Sequence, residues 1–449
     1  MKRKFLVGGA ALALALVMAC SNPSSPNLPA FPEPSAIMPG TPADIMVVWR
    51  GSGDLTVDLD PESEYVASAF QWYRRGDGGS PSVFMGLTTT PKFAVSDNQD
   101  LGRRYYYVRV TATGPSGERE MTSRAAAVKV ALDMVFVPGG TFERGARLGS
   151  HFGTHNGNIR VGALAGKNTD DANVFNVTVS DFYIGRYPVT QEEFYEVMGF
   201  NPSWFNGSTG SRAPAPGENL NRLPVERVTW FDALVFANKL SILAGLEPVY
   251  TISAASKQWG TGMPLPTQGQ SPSAPTIPGT YNIISADVTV NWNANGFRIP
   301  TESEWEFAAR GGKKGVADAF SFSGSSVVTQ ASWHGANSSN RPREVGETTA
   351  AIAAGMVPNR LGIWNMSGNV WERVYDWLAA YHFSADQNLN PRGHYASTHG
   401  FPRFGTRVTR GGAFSSGVDQ SRVMHRGGDP YDDVRQTTGF RIARNGGSL

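Results

Sequence analysis

Two stretches, NGFRIPTESEWEFAARGG (295–312) and LGIWNMSGNVWERVYDW (361–377), decide the fold. In the first, Thr301 stands three residues before Glu304, the spacing of a capping box, so a helix is expected to begin there. It carries Trp305 and Ala308 for a turn or two and stops at Gly311-Gly312. The second packs three tryptophans around a glycine turn with no helical or alternating period. Short elements and large aromatic anchors are the texture of a loop-rich domain held by aromatic packing rather than by long helices. The wider composition agrees: 51 glycines, and nine of the eleven tryptophans after residue 200. Two more capping boxes, Thr190 with Glu193 and Thr229 with Asp232, announce helices. The second carries Leu234, Ala237 and Leu240 on one face and ends at Gly245. A strand is expected over 134–142, and the Ser/Gly/Pro/Gln-rich run 252–282 reads as an inserted surface loop. His151 and His155 read as loop residues, without helical pattern or third ligand.

Upstream the texture differs. Lys2, Arg3 and Lys4 precede an apolar run from Phe5 to Met18, too short for a settled membrane span but the length of a signal h-region. It ends at Val17-Met18-Ala19-Cys20, so residues 1–20 read as a lipoprotein signal whose Cys20, the single cysteine of the chain, receives the lipid. That places the protein outside the cytoplasm, anchored to the bacterial cell envelope by acyl chains alone. Residues 21–42 hold seven prolines and read as a semi-rigid spacer. Residues 43–131 read as a small all-β sandwich of immunoglobulin or fibronectin type III kind, with strands near 45–49, 55–59, 69–74, 105–112 and 126–130. Without the three basic residues of the signal, 37 basic face 38 acidic side chains. Such balance gives no electrostatic case for nucleic acid, and the chain is expected to be a monomer.

Further segments complete a pattern in fixed order: MVFVPGGTFERG (134–145), DFYIGRYPVTQEEFYEVMG (181–199), LPVERVTWFDALVFANKLS (223–241), and VTRGGAFSS with GFRIAR (408–444). With the two opening stretches, residues 133–444 resemble the formylglycine-generating enzyme family, the sulfatase-modifying factor domains. The resemblance implies a C-type-lectin-like α+β fold. It also implies, for the oxidases, two copper-binding cysteines a few residues after a Gly-Gly pair. Here Gly411-Gly412 leads to Ser416 and Ser421 at those positions. A serine hydroxyl is neither ionised at neutral pH nor a soft ligand for Cu(I), so no copper and no oxidase chemistry are expected. Ser415 or Ser416 with Asp419 and His425 offers the residue types of a hydrolytic triad, without a nucleophile elbow or an oxyanion hole. The alternative to a binding role is an enzyme of this family with a non-thiol activity.

The resemblance further implies one structural Ca²⁺, held by the side chains of Asn365 and Glu372 and the carbonyls of Gly368 and Val370. A second family calcium site is expected to be lost at Ala331-Ser332-Trp333. The C-terminus also resembles the variable proteins of diversity-generating retroelements. Arg410-Gly411-Gly412-Ala413-Phe414 opens a run that Gly439-Phe440-Arg441 closes. Between them, the expected ligand-facing set is Phe414, Ser415, Ser416, Gly417, Asp419, His425, Gly427, Gly428, Asp429, Tyr431 and Asp432. Arg422, Val423, Met424, Arg426 and Pro430 are the expected framework. The implied partner is a protein or glycan bound on this surface.

Overall fold

Phe70 and Trp72 are buried while Gln71 and Tyr73 are only half-buried, the period-2 pattern of a strand with one face inward. The strand is β3 (Val66–Arg74) in a computed structural model that describes residues 45–48, 52–57, 66–74, 82–96, 102–123, 126–145, 175–207, 212–256, 285–316, 318, 320–378, 388–392 and 405–446. The chain divides into two units, Met1–Ala131 with Ser448–Leu449, and Leu132–Gly447. Cys20, the spacer 21–42, His151, His155 and residues 257–282 of the insert lie outside the described residues.

In the first unit, β1 (Ile45–Val48), β4 (Val83–Thr88), β6 (Gly102–Gly114) and β8 (Ala126–Ala131) join β3 in one sheet, ordered β1-β8-β6-β3-β4. The β1–β8 pair is parallel, and β7 (Gly117–Thr122) folds back on β6 as a hairpin. A second ladder pairs β2 (Ser52–Thr56) with β5 (Lys92–Ser96). The Trp72 ring stacks on Phe93 at 5.5 Å and so ties the ladders together. Strands β4, β5 and β7 have no counterpart in the sequence expectation. β4 carries exposed Val83, Phe84 and Leu87, without the alternation that reveals a half-buried strand.

The second unit has two four-stranded sheets. One is ordered β15-β22-β12-β9 and the other β20-β19-β18-β21. Their strands are β9 (Met134–Val137), β12 (Phe182–Gly185), β15 (Phe297–Arg298), β18 (Trp371–Trp377), β19 (Thr406–Arg410), β20 (Arg426–Pro430), β21 (Thr438–Phe440) and β22 (Ala443–Asn445). Three two-stranded ladders complete it: β10 (Gly140–Arg144) with β11 (Phe175–Val179), β13 (Tyr250–Ser256) with β14 (Ser285–Val290), and β16 (Ser332–Trp333) with β17 (Ser367–Gly368). The strand expected over 134–142 is two strands, β9 and β10, broken at Pro138-Gly139.

All three capping boxes form, opening α1 (Gln191–Met198), α2 (Trp230–Leu243) and α3 (Glu302–Ala309). Every residue of α3 is buried. Trp305 packs with Phe142, Phe307, Val374 and Val408 in the main core, and its Nε1–H donates to Glu372 at 2.6 Å. Burying such an indole removes roughly 150–250 Å², about 4–6 kcal/mol at ~25 cal/mol per Å². Gly368 lets β17 lie close against β16. At φ 76° its missing side chain leaves room for Trp333 O and Ser332 Oγ, which an added Cβ would approach to 2.2 Å. Among the described residues, no helix is long and apolar enough to cross a membrane.

Candidate functional site

β19 delivers the chain to Gly411 and Gly412, both left-handed at φ 92° and 76°. The double turn drives Ala413 and Phe414 inward, where the Phe414 ring meets Phe205 edge-on at 5.3 Å over Leu223. Ser416 then closes a tight turn, its Oγ accepting the Ala413 N–H at 2.9 Å. A 3₁₀ turn over Val418–Ser421 buries Ser421 completely, and its Oγ accepts from the Ser332 hydroxyl at 2.9 Å. Both residues that stand where the oxidases have thiols thus have their oxygens committed to internal hydrogen bonds.

The expected ligand-facing set does not form one surface. Ser415, Gly417, Asp419 and Asp432 are exposed, and His425, Gly427, Gly428 and Tyr431 are half-buried. Phe414, Ser416 and Asp429 are buried, and each has a structural task instead. Asp429 accepts the Thr438 hydroxyl at 2.8 Å and pairs with Arg435 at 3.2 Å. Tyr431 lies edge-on to both Phe231 and Trp377. A Cβ at Gly427 would strike Thr409 and Trp371, and one at Gly428 would strike Leu378 and Thr406. The hydrolytic grouping is also dispersed. Ser416 caps its turn, Asp419 pairs with Arg422 at 2.9 Å, and His425 lies against Trp371. Of the expected framework, Val423 is fully buried and Arg426 binds Glu302 through Nε at 2.7 Å, while Arg422, Met424 and Pro430 are half-buried.

Beside this segment opens a cleft of about 500 Å³, lined by Trp204, Arg227 and Val434 to Thr437. Trp204 packs on the Phe205–Leu223–Phe414 cluster, so the cleft floor is continuous with the turn after Gly412. Arg227 holds φ 61°, and its N–H donates to Arg435 O at 3.0 Å, joining the two walls. Behind them Glu226 is wholly buried. One carboxyl oxygen accepts the Phe205 N–H at 2.8 Å, and the other has no partner. Burial pushes its carboxyl up to about 8, against the N–H groups of Phe205 and Trp204 and the charge of Arg227. A larger cleft of about 770 Å³ lies by Asp181, Trp292 and Arg392. There Arg298 is spent on Glu304 and Asn445, and Arg392 covers the Trp292 ring. Sequence reading missed Trp204 and Arg227. The available signal was a tryptophan in the turn-rich run Asn201-Pro202-Ser203-Trp204-Phe205.

The expected calcium donors lie around the β17–β18 turn. Glu372 is buried, and Arg441 binds both of its oxygens at 2.7 Å while Trp305 holds one of them. Asn365, at φ 58°, accepts the Gly346 N–H at 2.8 Å. The donors are oxygens suited to a hard cation, and Glu372 Oε1 is held by Arg441 alone among the described side chains while Oε2 is held twice. The charge of the single carboxylate, however, is already met by a guanidinium.

Residues 119–446 match the sulfatase-modifying factor enzyme 1-like domain. The chain belongs to this family. It is 32% identical over 279 residues to the chaperone protein LppX of Paenibacillus barcinonensis, covering 60% of this chain and 82% of LppX. It is 29% identical over 343 residues to the formylglycine-generating enzyme of Thermomonospora curvata, covering 71% and 96%. Among solved structures, Treponema denticola variable protein 1 is similar at 28% identity and a TM-score of 0.50, covering 72% and 96%. The sulfatase-modifying factor fold thus serves relatives outside the oxidases, and this member lacks the oxidases' two thiols.

Glu226 gives this region a pH signature. An unfolded glutamate titrates near about 4.3, while the folded one titrates at about 8. Between those values the unfolded chain is ionised and the folded chain keeps its proton, so stability falls as pH rises from about 4 to about 8. Glu226→Gln retains the shape without the charge. Its urea midpoint is expected to match the wild type near pH 4.5 and to exceed it at pH 8.5. A difference that does not grow with pH would contradict this account.

Proposed function

We propose that this protein is an exported lipoprotein that binds a polypeptide beside residues 414–437 and performs no thiol chemistry. The observation that carries the reading is the pair Ser416 and Ser421, whose hydroxyl oxygens are tied into buried turns where the family's oxidases need reactive sulfur. A relative described as a chaperone favours a polypeptide over a glycan. Likeness to a variable protein supports a display role for the exposed positions Ser415, Gly417, Asp419 and Asp432. Phe414, Ser416 and Asp429 are too buried to vary freely. The β1–β8 parallel pair and the β2–β5 ladder suit an immunoglobulin-like spacer between the anchor and the binding unit.

The reading is tested on the mature chain with reduced, carboxymethylated α-lactalbumin as an unfolded probe. Retention of the probe is expected, together with no formylglycine from a cysteine peptide in the presence of copper. Turnover above a boiled control, or no retention of the probe, would overturn the reading. Anchoring is read separately. Palmitate labelling of cells is expected to mark the wild type and to vanish in Cys20→Ala.

Calcium is proposed to add to the Glu372–Arg441 pair rather than replace it, through Asn365, Gly368, Val370 and the free lone pairs of Glu372. Raising Ca²⁺ from chelated levels to a few millimolar is then expected to lift the melting temperature by a few degrees, and Asn365→Ala to abolish the rise. No shift in the wild type assigns the whole counter-charge to Arg441.

A further inference from the structure

Arg227 is an unusual residue for its backbone. At φ 61° it holds the left-handed conformation that glycine or asparagine adopts at lower cost. Among the described residues no carboxylate lies within salt-bridge distance of its guanidinium, which instead lies 5.9 Å from the Trp204 ring at the cleft. The other arginine of the cleft, Arg435, is neutralised by Asp433 at 2.6 Å and Asp429 at 3.2 Å. Glu226 does not cancel Arg227 either, because burial keeps its carboxyl protonated at neutral pH. The cleft therefore presents a guanidinium that has no carboxylate within salt-bridge distance among the described residues, next to an indole, with Val434 and Gln436 also in its lining.

We propose that this cleft recognises an acidic side chain of the bound polypeptide, its carboxylate on Arg227 and the neighbouring apolar or aromatic residue on Trp204. The proposal rests on the polypeptide-binding reading above and names the chemistry that the site selects. A guanidinium is a planar fork that meets a carboxylate with two parallel hydrogen bonds, and a single one suits a single carboxylate. A phosphate more commonly gathers several cations. Trp204 supplies flat, half-buried surface of the kind that anchors peptide side chains at little entropic cost. Its position over Phe205 and Phe414 fixes the ring, so the cleft is preorganised.

The test titrates two blocked tetrapeptides, Ac-Ala-Trp-Glu-Ala-NH2 and its Gln counterpart, into the mature chain by calorimetry. The Glu peptide is expected to bind at least tenfold more tightly, with the advantage shrinking as NaCl rises. Arg227→Asn suits the left-handed backbone, so its melting temperature should match the wild type while the preference disappears. Arg227→Lys should keep part of it. Equal binding of the two peptides, or an undiminished preference in Arg227→Asn, would overturn the proposal. So would inorganic phosphate competing as well as the Glu peptide, since that reassigns the cation to a phosphate. Retention of unfolded α-lactalbumin separates the two levels. If the wild type and Arg227→Asn retain it equally and neither peptide competes, the acidic-residue proposal falls while polypeptide binding stands. If the wild type retains none, the function reading itself falls.

Discussion

Two carboxylates on one buried helix organise the second unit. Glu302 and Glu306 lie a turn apart on α3 and are met by arginines from four directions. Arg144 arrives from the end of β10 at 2.6 Å, Arg426 from β20 at 2.7 Å, Arg410 from β19 at 2.5 Å, and Arg310 from just past the helix at 2.7 Å. Burial by itself raises the Glu302 carboxyl, yet Arg144, Arg426 and Arg410 together pull it well below the usual range. Glu306 is held down in the same way, against its own burial, by Arg310, Arg410 and Arg144. Its carboxylate therefore contributes stability above about pH 4 that is lost as acid protonates it. Removing one member of such a group strands a buried charge at a cost of about 3–5 kcal/mol, even where the intact pair gains little over an apolar replacement. The network's value is in specifying geometry. Only one register of β10, α3, β19 and β20 satisfies it.

Four guanidiniums exceed two carboxylates, and the surplus is absorbed by carbonyls. Arg410 donates to the carbonyls of Val423, Met424 and His425, and Arg310 to that of Gly145. This explains why the chain after Gly412 must return to β19 along a fixed path. Residues 423–425 are held by their backbones from below, so their neighbours on the outer side can differ in type without moving the turn. Asp376 belongs to the same neighbourhood, accepting the Glu302 N–H at 2.7 Å. Burial first, then the charge of Glu302, pushes its carboxyl up to about 7. Below that pH the acid is neutral and adds no third buried negative charge to the cluster.

What could be read in advance follows from this arrangement. The capping boxes at Thr190, Thr229 and Thr301 obey a rule that spans three residues, and all three form. The family resemblance rested on compact motifs and is matched across residues 119–446. Long-range partners were not legible. Arg144 and Glu302 are charged residues far apart in sequence, and nothing local distinguishes a buried arginine from a solvated one. Strands of two to five residues, such as β15 and β21, are too short to show a period. The ligand-facing set erred for a related reason. Asp429 and Ser416 are polar in type but sit inside, where Thr438, Arg435 and the Ala413 N–H satisfy them. The cleft itself was missed because its floor and wall come from Trp204, Arg227 and residues 434–437, which only the fold brings together.

The two serines tie the segment after Gly412 into the domain through hydroxyl hydrogen bonds. A thiol is a weak acceptor and a poor partner for a buried N–H. A hydroxyl at the same place accepts well, as Ser416 does from the Ala413 N–H and Ser421 from the Ser332 hydroxyl. Each such bond contributes about 0.5–1.5 kcal/mol net, and each removes a penalty for an unpaired buried group. Serine at these positions therefore tightens the turns that in an oxidase must hold reactive sulfur. Gly411 and Gly412 aim the chain, the arginine network fixes the path beyond it, and neither depends on sulfur. The rigid turn supports the Phe414–Phe205 cluster under Trp204, so the bonds that order the turn also steady the surface next to it.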